Sequence, residues 1–184
     1  PIYRGSSQHN NDVGAVRSDF PVPLNRRVYY YEVTIKDRGE EGKIGIGFAA
    51  GDFKLQRQPG WEPNSYGYHG DDGKKFAANG SGTDFGPCFG TGDVIGAGIH
   101  LEKQQIFFTK NGKFMKVAFE NVKGELYPTI GLHSKGECVE ERVDDQACPD
   151  GFERDIAFAS HPKAAPGHGI VRALASFRGS HARE

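Results

Sequence analysis

Cysteine is scarce in this chain of 184 residues: Cys88, Cys138 and Cys148 are the only three. An odd number without a short-spaced pair argues against a disulfide framework and favours a reducing compartment, cytosol or nucleus. Long hydrophobic runs are missing too, and nothing approaches the ~20 apolar residues of a membrane span. Nor does either charge dominate, since the formal net charge is −1 and the isoelectric point about 6.8. No global field draws the protein to nucleic acid or to an anionic membrane, so recognition must come from local surface. A starting methionine is absent as well, which leads us to expect a fragment excised from a longer protein. Glycine, by contrast, is abundant. Its 26 residues follow no collagen-like period and punctuate many short strands with tight turns. One domain is expected at this length.

The stretch 92–112 organises the rest. Ile95, Ala97, Ile99 and Leu101 fall on one face of an extended chain and Gly96, Gly98 and His100 on the other, the period-two pattern of a strand with one apolar side. After a polar turn come Ile106-Phe107-Phe108-Thr109, of the aromatic and β-branched types that suit a pleated surface. Asn111-Gly112 follow and tolerate the positive φ of a tight hairpin. A third strand is expected over 114–119. With no helical segment between these strands, the product is an antiparallel meander.

Elsewhere, residues 12–16 predict a short edge strand, and the prolines of Phe20-Pro21-Val22-Pro23 exclude a central strand because each lacks a ladder donor. Residues 28–35 alternate strongly, with Tyr29, Tyr31, Val33 and Ile35 on one face and a partly wet Tyr30, Glu32 and Thr34 on the other. A charged turn over 37–42 leads into 43–50, where Ile44, Ile46 and Phe48 align, and the two strands are expected to pair as a hairpin. Between 51 and 87 the chain is irregular. A short hairpin is expected there, from Tyr66-Gly67-Tyr68-His69 through Asp72-Gly73 to 74–77. Residues 126–133 make another strand, and the run from Glu137 starts as a strand and meets charge. From about residue 145, prolines, histidines and alanines lose period-two order, so 145–184 reads as a weakly ordered tail. Within it Ile170, Leu174 and Phe177, at i, i+4 and i+7, predict one short helix near 169–178.

Several motifs invite a chemistry that their surroundings do not support. Gly45-x-Gly47-x-x-Ala50 matches the dinucleotide fingerprint formally, but no helix is expected at its end to hold a pyrophosphate. Gly73-Lys74-Lys75 lacks the earlier glycine and the following Ser or Thr of a phosphate loop and reads as a turn. Cys138, Cys148, His161 and His168 are zinc-ligand types at spacings far wider than structural zinc sites use. His69 beside Asp71 and Asp72 has no serine or cysteine nucleophile fixed near it, and Gly-Asp-Asp-Gly is ordinary turn composition. Asn79-Gly80-Ser81 is a glycosylation acceptor only in a secreted chain. Trp61, after a Pro-Gly turn, is read first as a plug for the open end of a sheet pair and second as a solvent-facing anchor. We expect no catalytic residue, no metal and no cofactor.

Taken in order, Val28-Tyr29-Tyr30-Tyr31-Glu32-Val33, Gly45-Ile46-Gly47-Phe48, Pro59-Gly60-Trp61, Thr91-Gly92-Asp93-Val94-Ile95-Gly96, Phe107-Phe108-Thr109-Lys110-Asn111-Gly112 and Leu126-Tyr127-Pro128-Thr129-Ile130-Gly131 resemble a SPRY domain. The run Tyr66-Gly67-Tyr68-His69-Gly70-Asp71-Asp72-Gly73 resembles the Ran-binding-protein-M (RanBPM) type in particular. The resemblance implies an all-β fold, a bent antiparallel β-sandwich of the concanavalin-like jelly-roll kind, over residues 1–144, with 145–184 as a divergent tail. Its expected core is Tyr29, Tyr31, Val33, Ile35, Ile44, Ile46, Phe48, Ile95, Ile99, Leu101, Phe108 and Ile130. After Glu137-Cys138-Val139-Glu140 the family continues into Val-Asn-Phe-Gly, whereas this chain reads Glu141-Arg142-Val143-Asp144, through an insertion, a splice difference or a frame change. Gly151-Phe152-Glu153-Arg154-Asp155-Ile156 is faintly similar to the Pro-Phe-x-Phe-Asp-Ile that closes the family domain.

By resemblance the protein is a non-catalytic interaction module, the recruiting domain of a RanBPM-like scaffold in a ubiquitin-ligase complex (CTLH, or GID in yeast). The alternative is a secreted effector of a plant-parasitic nematode acting on host proteins. In related SPRY domains a short extended peptide lies in a preformed pocket built by loops at one end of the sandwich. By position those loops are 5–11, 52–61 and 133–136, with 17–23 nearby. The expected partner-binding residues are Arg4, Gln8, Lys54, Arg57, Trp61, Tyr66, His133 and Lys135, a cationic and aromatic mix suited to an acidic or amide-rich peptide. No nucleic acid, membrane or small-molecule partner is expected. Because the tail offers too few apolar residues to offset about 1 to 2 kcal/mol of backbone ordering per residue, truncation after Asp144 should leave the melting temperature nearly unchanged. A drop of several degrees in a thermal melt would instead show Phe152 and Ile156 docked as a substitute last strand.

Overall fold

The computed structural model describes residues 1–7, 9, 12–142 and 177–179, and among them there are strands and turns but no helix. The strands are β1 (Gly14–Ser18), β2 (Val28–Arg38), β3 (Gly45–Ala50), β4 (Ser65–His69), β5 (Lys74–Ala77) and β6 (Thr83–Asp84). They continue with β7 (Val94–His100), β8 (Gln105–Lys110), β9 (Lys113–Phe119), β10 (Leu126–Leu132), β11 (Glu137–Arg142) and β12 (Phe177–Gly179). They build two antiparallel sheets, one ordered β12-β1-β10-β3-β4-β5-β6 and the other β11-β2-β7-β8-β9, packed as a sandwich. The expected meander is β7-β8-β9, and the expected short hairpin is β4-β5.

Alternation carries the core. Tyr31, Val33 and Ile35 from β2, Ile95, Ala97 and Ile99 from β7 and Phe108 from β8 face Ile46 and Phe48 from β3 and Ile130 and Leu132 from β10. Tyr29 and Leu101, both expected inside, lie partly buried at its margin. The phenol of Tyr31 crosses between the sheets to donate to the Gly47 carbonyl at 2.6 Å, which satisfies a polar group that burial would otherwise penalise.

Three expectations need correction. The turn over 37–42 does not close a hairpin, since β2 pairs with β11 and β7 while β3 pairs with β10 and β4, so this turn carries the chain from one sheet to the other. Tyr30 is not wet: it stacks on Phe107 at 6.1 Å and 9° and hydrogen-bonds Thr109 at 2.7 Å. Gly96 and Gly98 make this possible, because a Cβ there would fall 2.0 Å from the Tyr30 hydroxyl and 2.1 Å from the Phe107 ring. The expected helix near 169–178 lies outside the described residues except at its end, where Phe177 and Arg178 are extended in β12 and pair with β1.

The irregular segment 51–64 lies across the outer face of the seven-stranded sheet. There Phe53, Leu55 and Trp61 close a second apolar cluster over Val13, Ala15 and Ala49. Trp61 therefore does not plug the open end between the sheets. The approach of residues 58–60 is very close: a Cβ on Gly67 would stand 2.2 Å from the Pro59 carbonyl, and one on Gly131 would stand 2.1 Å from Gln58 Oε1. Gly67→Ala should therefore cost about 2 kcal/mol through overpacking, a melting-temperature drop of roughly 4–8 °C at this size. Gly80→Ala is the control, since nothing lies within 4 Å of the added Cβ, and it should stay within about 0.5 kcal/mol of the parent. Thermal melts of the two variants check this.

Candidate functional site

The described residues of the loops expected to bind a partner are held by hydrogen bonds within the chain. In the first, Asp12 accepts from Ser6 Oγ at 2.5 Å and from the His9 amide at 3.2 Å, while the Tyr3 hydroxyl donates to the Asp12 carbonyl at 2.5 Å. In the third, the buried carboxylate of Glu137 accepts from the His133 amide and from Ser134 Oγ, both at 2.6 Å. Burial pushes this carboxyl up, against the pull of those bonds. Ser134 Oγ also accepts from the Glu41 amide at 3.1 Å, which ties the 133–136 loop to the turn between β2 and β3.

Between these loops the second one presents a cluster of a cation and two rings. The Arg57 guanidinium lies 5.0 Å from the Trp61 ring centroid. The Trp61 ring meets His133 edge-on at 6.2 Å, and a ring nitrogen of His133, Nε2, is 3.0 Å from the His9 carbonyl. Arg57 Nε is held by Glu62 Oε1 at 2.8 Å. Trp61 Nε1 is buried and finds no hydrogen-bond partner among the described residues.

Of the expected partner-binding residues, Arg57, Trp61 and His133 thus come together, and Arg4, Lys54 and Lys135 are exposed in the same loops or beside them. Gln8 lies outside the described residues. Tyr66 departs from the expectation. It shares the inner face with Tyr68 and packs on Phe119 at 5.2 Å, because a strand puts i and i+2 on one side. The segment 17–23, expected nearby, departs too, and the chain after it continues at the same end through Arg27. The Val22 amide bonds the Leu126 carbonyl and the Leu101 amide bonds the Arg27 carbonyl, which places this segment at the opposite end of β10 and β7. Sequence reasoning missed Asp12, Glu62 and Glu137, whose work is to pin loops and neutralise Arg57. Nothing in their spacing singled them out.

The motifs set aside earlier have structural places. Gly45 and Gly47 sit inside β3, where the Gly45 Cα faces Gln58 and His69. His69 is buried, stacks on Phe76 at 4.0 Å, and its Nε2 is 2.8 Å from the Pro59 carbonyl. It anchors the Pro-Gly-Trp loop to the sheet. Among the described residues no group of three His, Cys, Asp or Glu side chains is placed to hold a metal. Cys148, His161 and His168 lie outside them. No helix among the described residues is long and apolar enough to cross a membrane.

The two-sheet sandwich gathers these loops, and much of their polar inventory among the described residues is used to hold one another. The family model of the SPRY domain matches residues 28–143, and the chain belongs to that family. Its SPRY domain is of the Ran-binding protein M type. It is 44% identical over 135 residues to the Ran-binding protein M homolog of Arabidopsis thaliana, which covers 73% of this chain and 29% of that protein. Human Ran-binding protein 9 is 44% identical over 138 residues, covering 75% of this chain and 19% of its own length. This chain therefore spans less than a third of either relative. A crystal structure of a human SPRY domain superposes with a TM-score of 0.67 at 36% identity, covering 73% of this chain and 86% of that one. These relatives lend no support to the effector alternative.

The buried anchor makes stability depend on pH. Burial pushes His69 down to about 4, against about 6.5 in an unfolded chain. Below pH 6.5 the unfolded chain takes up a proton that the folded one refuses. The contribution of neutral His69 is therefore complete above about 6.5 and lost as pH falls toward 4, at up to ~1.4 kcal/mol per pH unit. His69→Gln keeps a donor for the Pro59 carbonyl but does not titrate. Denaturant unfolding at several pH values should show wild type losing stability more steeply than this variant between 6.5 and 4, with parallel curves above.

Proposed function

We propose that this chain is the partner-recruiting domain of a RanBPM-like scaffold in a ubiquitin-ligase complex of the CTLH/GID kind, working in the cytoplasm or nucleus. Residues 1–144 form the binding domain, and 145–184 are a tail. The partner is a protein, engaged through a short extended segment that crosses loops 5–11, 52–61 and 133–136. It is not nucleic acid, a membrane or a small molecule, and the module runs no catalysis and needs no cofactor.

The observation that carries this reading is the half-buried Trp61 between Arg57 and His133, with an indole N–H that has no acceptor among the described residues. An orphaned buried donor costs ~1–3 kcal/mol, and because this N–H is shielded from solvent as the loops stand, a peptide carbonyl removes that cost only by shifting the Trp61 loop as it binds. Glu62 already meets the charge of Arg57, so an amide-rich segment suits the centre better than a purely acidic one. Arg4, Lys54 and Lys135, with Gln8 by its position in the first loop, supply a polar rim of the kind that surrounds interface anchors.

Pull-downs with wild type, Arg57→Ala, His133→Ala and Trp61→Phe, each verified to melt at the wild-type temperature, test the proposal. Trp61→Phe keeps the ring and deletes the donor, so it should reduce partner recovery about threefold to tenfold, the worth of one hydrogen bond. Equal recovery from all four proteins would place the surface elsewhere.

A further inference from the structure

Along one side of the sandwich the two sheets leave a seam, between β5–β6 at the edge of the seven-stranded sheet and β9 at the edge of the five-stranded one. Side chains from both edges close it. Lys75 Nζ crosses from β5 to donate to the Ala118 carbonyl at 2.5 Å, and Met115 from β9 reaches Gly86, where its methyl would stand 2.2 Å from an added Cβ. Lys116 Nζ, also from β9, lies 5.0 Å from the Phe85 ring centroid. Lys75 Nζ lies 5.9 Å from the same ring and 5.4 Å from that of Phe119. Each sheet thus lays one ammonium group over a Phe85 that is only 6% exposed. An ordinary edge lysine guards a strand by holding its charge out in solvent. These two are drawn onto aromatic faces instead.

Alternation keeps acids away from this pair. Lys75 stands opposite Tyr68, on the inner face, whereas Lys74 shares the outer face with Phe76, which stacks on His69. Asp84 stands opposite Lys74 and so belongs to that outer face as well. On β9, Lys116 stands opposite Phe108, a core residue, and Lys113 stands opposite Lys110. The two bulges of this strand pair flank the Lys116 position, and a bulge is a means of re-aiming a side chain. Asp93 is engaged with Lys110 and Asn111, and Glu120 with Gln105. Among the described residues no carboxylate pairs with Lys75, Lys113 or Lys116. A ring or a carbonyl orients a cation but leaves its charge in place, and like charges gathered at one ring repel each other.

We propose that this seam is a second interaction surface, separate from the loop site, on which an acidic segment of a partner protein docks with its carboxylates on Lys75, Lys116 and Lys113. The partner supplies the negative charge that the fold itself leaves out, and so offsets the repulsion between the ammonium groups. Carboxylates at alternate positions of an extended segment fall on one side, about 7 Å apart, and present a row of acceptors to the lysines while the other side faces water. Nucleic acid fits the seam less well, because single strands are held by bases stacked on open aromatic faces. Phe85 is buried beneath the lysines.

The test uses the full chain and a labelled ten-residue synthetic peptide of alternating glutamate and serine, with glutamine in place of glutamate as its control. At low salt the glutamate peptide should bind wild type roughly tenfold or more tighter than the glutamine peptide, and it should lose most of that advantage by about 0.5 M salt. Lys116→Met and Lys75→Met keep an apolar stem over the ring and remove the charge. Each should weaken binding about threefold to tenfold. Thermal melts check the fold, and Lys116→Met decides alone if loss of the Ala118 bond makes Lys75→Met melt low. Lys74→Met, the same change one residue away on the outer face, should bind as wild type does. Trp61→Phe should do so too, which keeps this surface distinguishable from the loop site. The proposal is overturned by no binding of the glutamate peptide, by equal binding of the two peptides, by unchanged affinity in Lys116→Met, or by equal losses in Lys74→Met and Lys116→Met, the mark of a diffuse field. A ten-nucleotide single strand that binds more tightly than the glutamate peptide, and whose binding is lost in Lys116→Met, would assign the seam to nucleic acid and overturn it as well.

Discussion

The proposed binding end of this domain depends on one close approach, the seating of residues 58–60 on the outer face of the seven-stranded sheet. Gly45, Gly67 and Gly131, contributed by adjacent strands, remove the side chains that would hold that segment away. The His69 imidazole then bonds the Pro59 carbonyl, and the Gln58 amide bonds the carbonyl of Lys43. Only with Pro59 in that place does Trp61 reach the second apolar cluster and stand against His133. Arg57, His9 and the 133–136 loop take their positions from Trp61 and Glu137 in turn. The glycines do not act here as flexible joints. They are the missing volume into which a neighbouring backbone fits.

This also decides how much was legible in the sequence. The inward faces of β2, β3, β7 and β10 were readable because a buried strand face leaves a period-two record of large apolar residues. The outward faces were not, since glycine and tyrosine there answer to segments far away in the chain. Tyr30 looked wet because its cover, Phe107, comes from another strand and lies flat only over Gly96 and Gly98. The turn between β2 and β3 looked like a hairpin because local composition does not say whether the returning strand joins the same sheet. At the site, the cationic and aromatic side chains stood out by type and the loops by resemblance. The acids that hold them, Asp12, Glu62 and Glu137, are ordinary surface letters until a fold brings partners to them. Tyr66 was misplaced by counting it with the loop aromatics, when its spacing to Tyr68 already put it on the inner face.

Electrostatics here serves position more than attraction. Asp93 accepts from Asn111, from the Gly90 amide and from Lys110, and these bonds hold its carboxyl below the usual range despite partial burial. It fastens the loop before β7 to the β8–β9 turn. Charges spent in this way do not reach far into solvent, which fits a chain whose net charge is close to zero.

The N-terminal segment lies against strands made late in the chain, and that sets an order of events. β1 pairs with β10, and residues 1–3 line β11, so contacts close between positions more than a hundred residues apart. During synthesis at 5–20 residues per second, the opening segment therefore waits on the order of ten seconds for its partners to be made. Until then β1 and the apolar face of β2 lack the neighbours that shield them, and long-range pairings of this kind are slow to form in any case. The nascent chain therefore keeps the edges that β10 and β11 will cover open until those strands have been made.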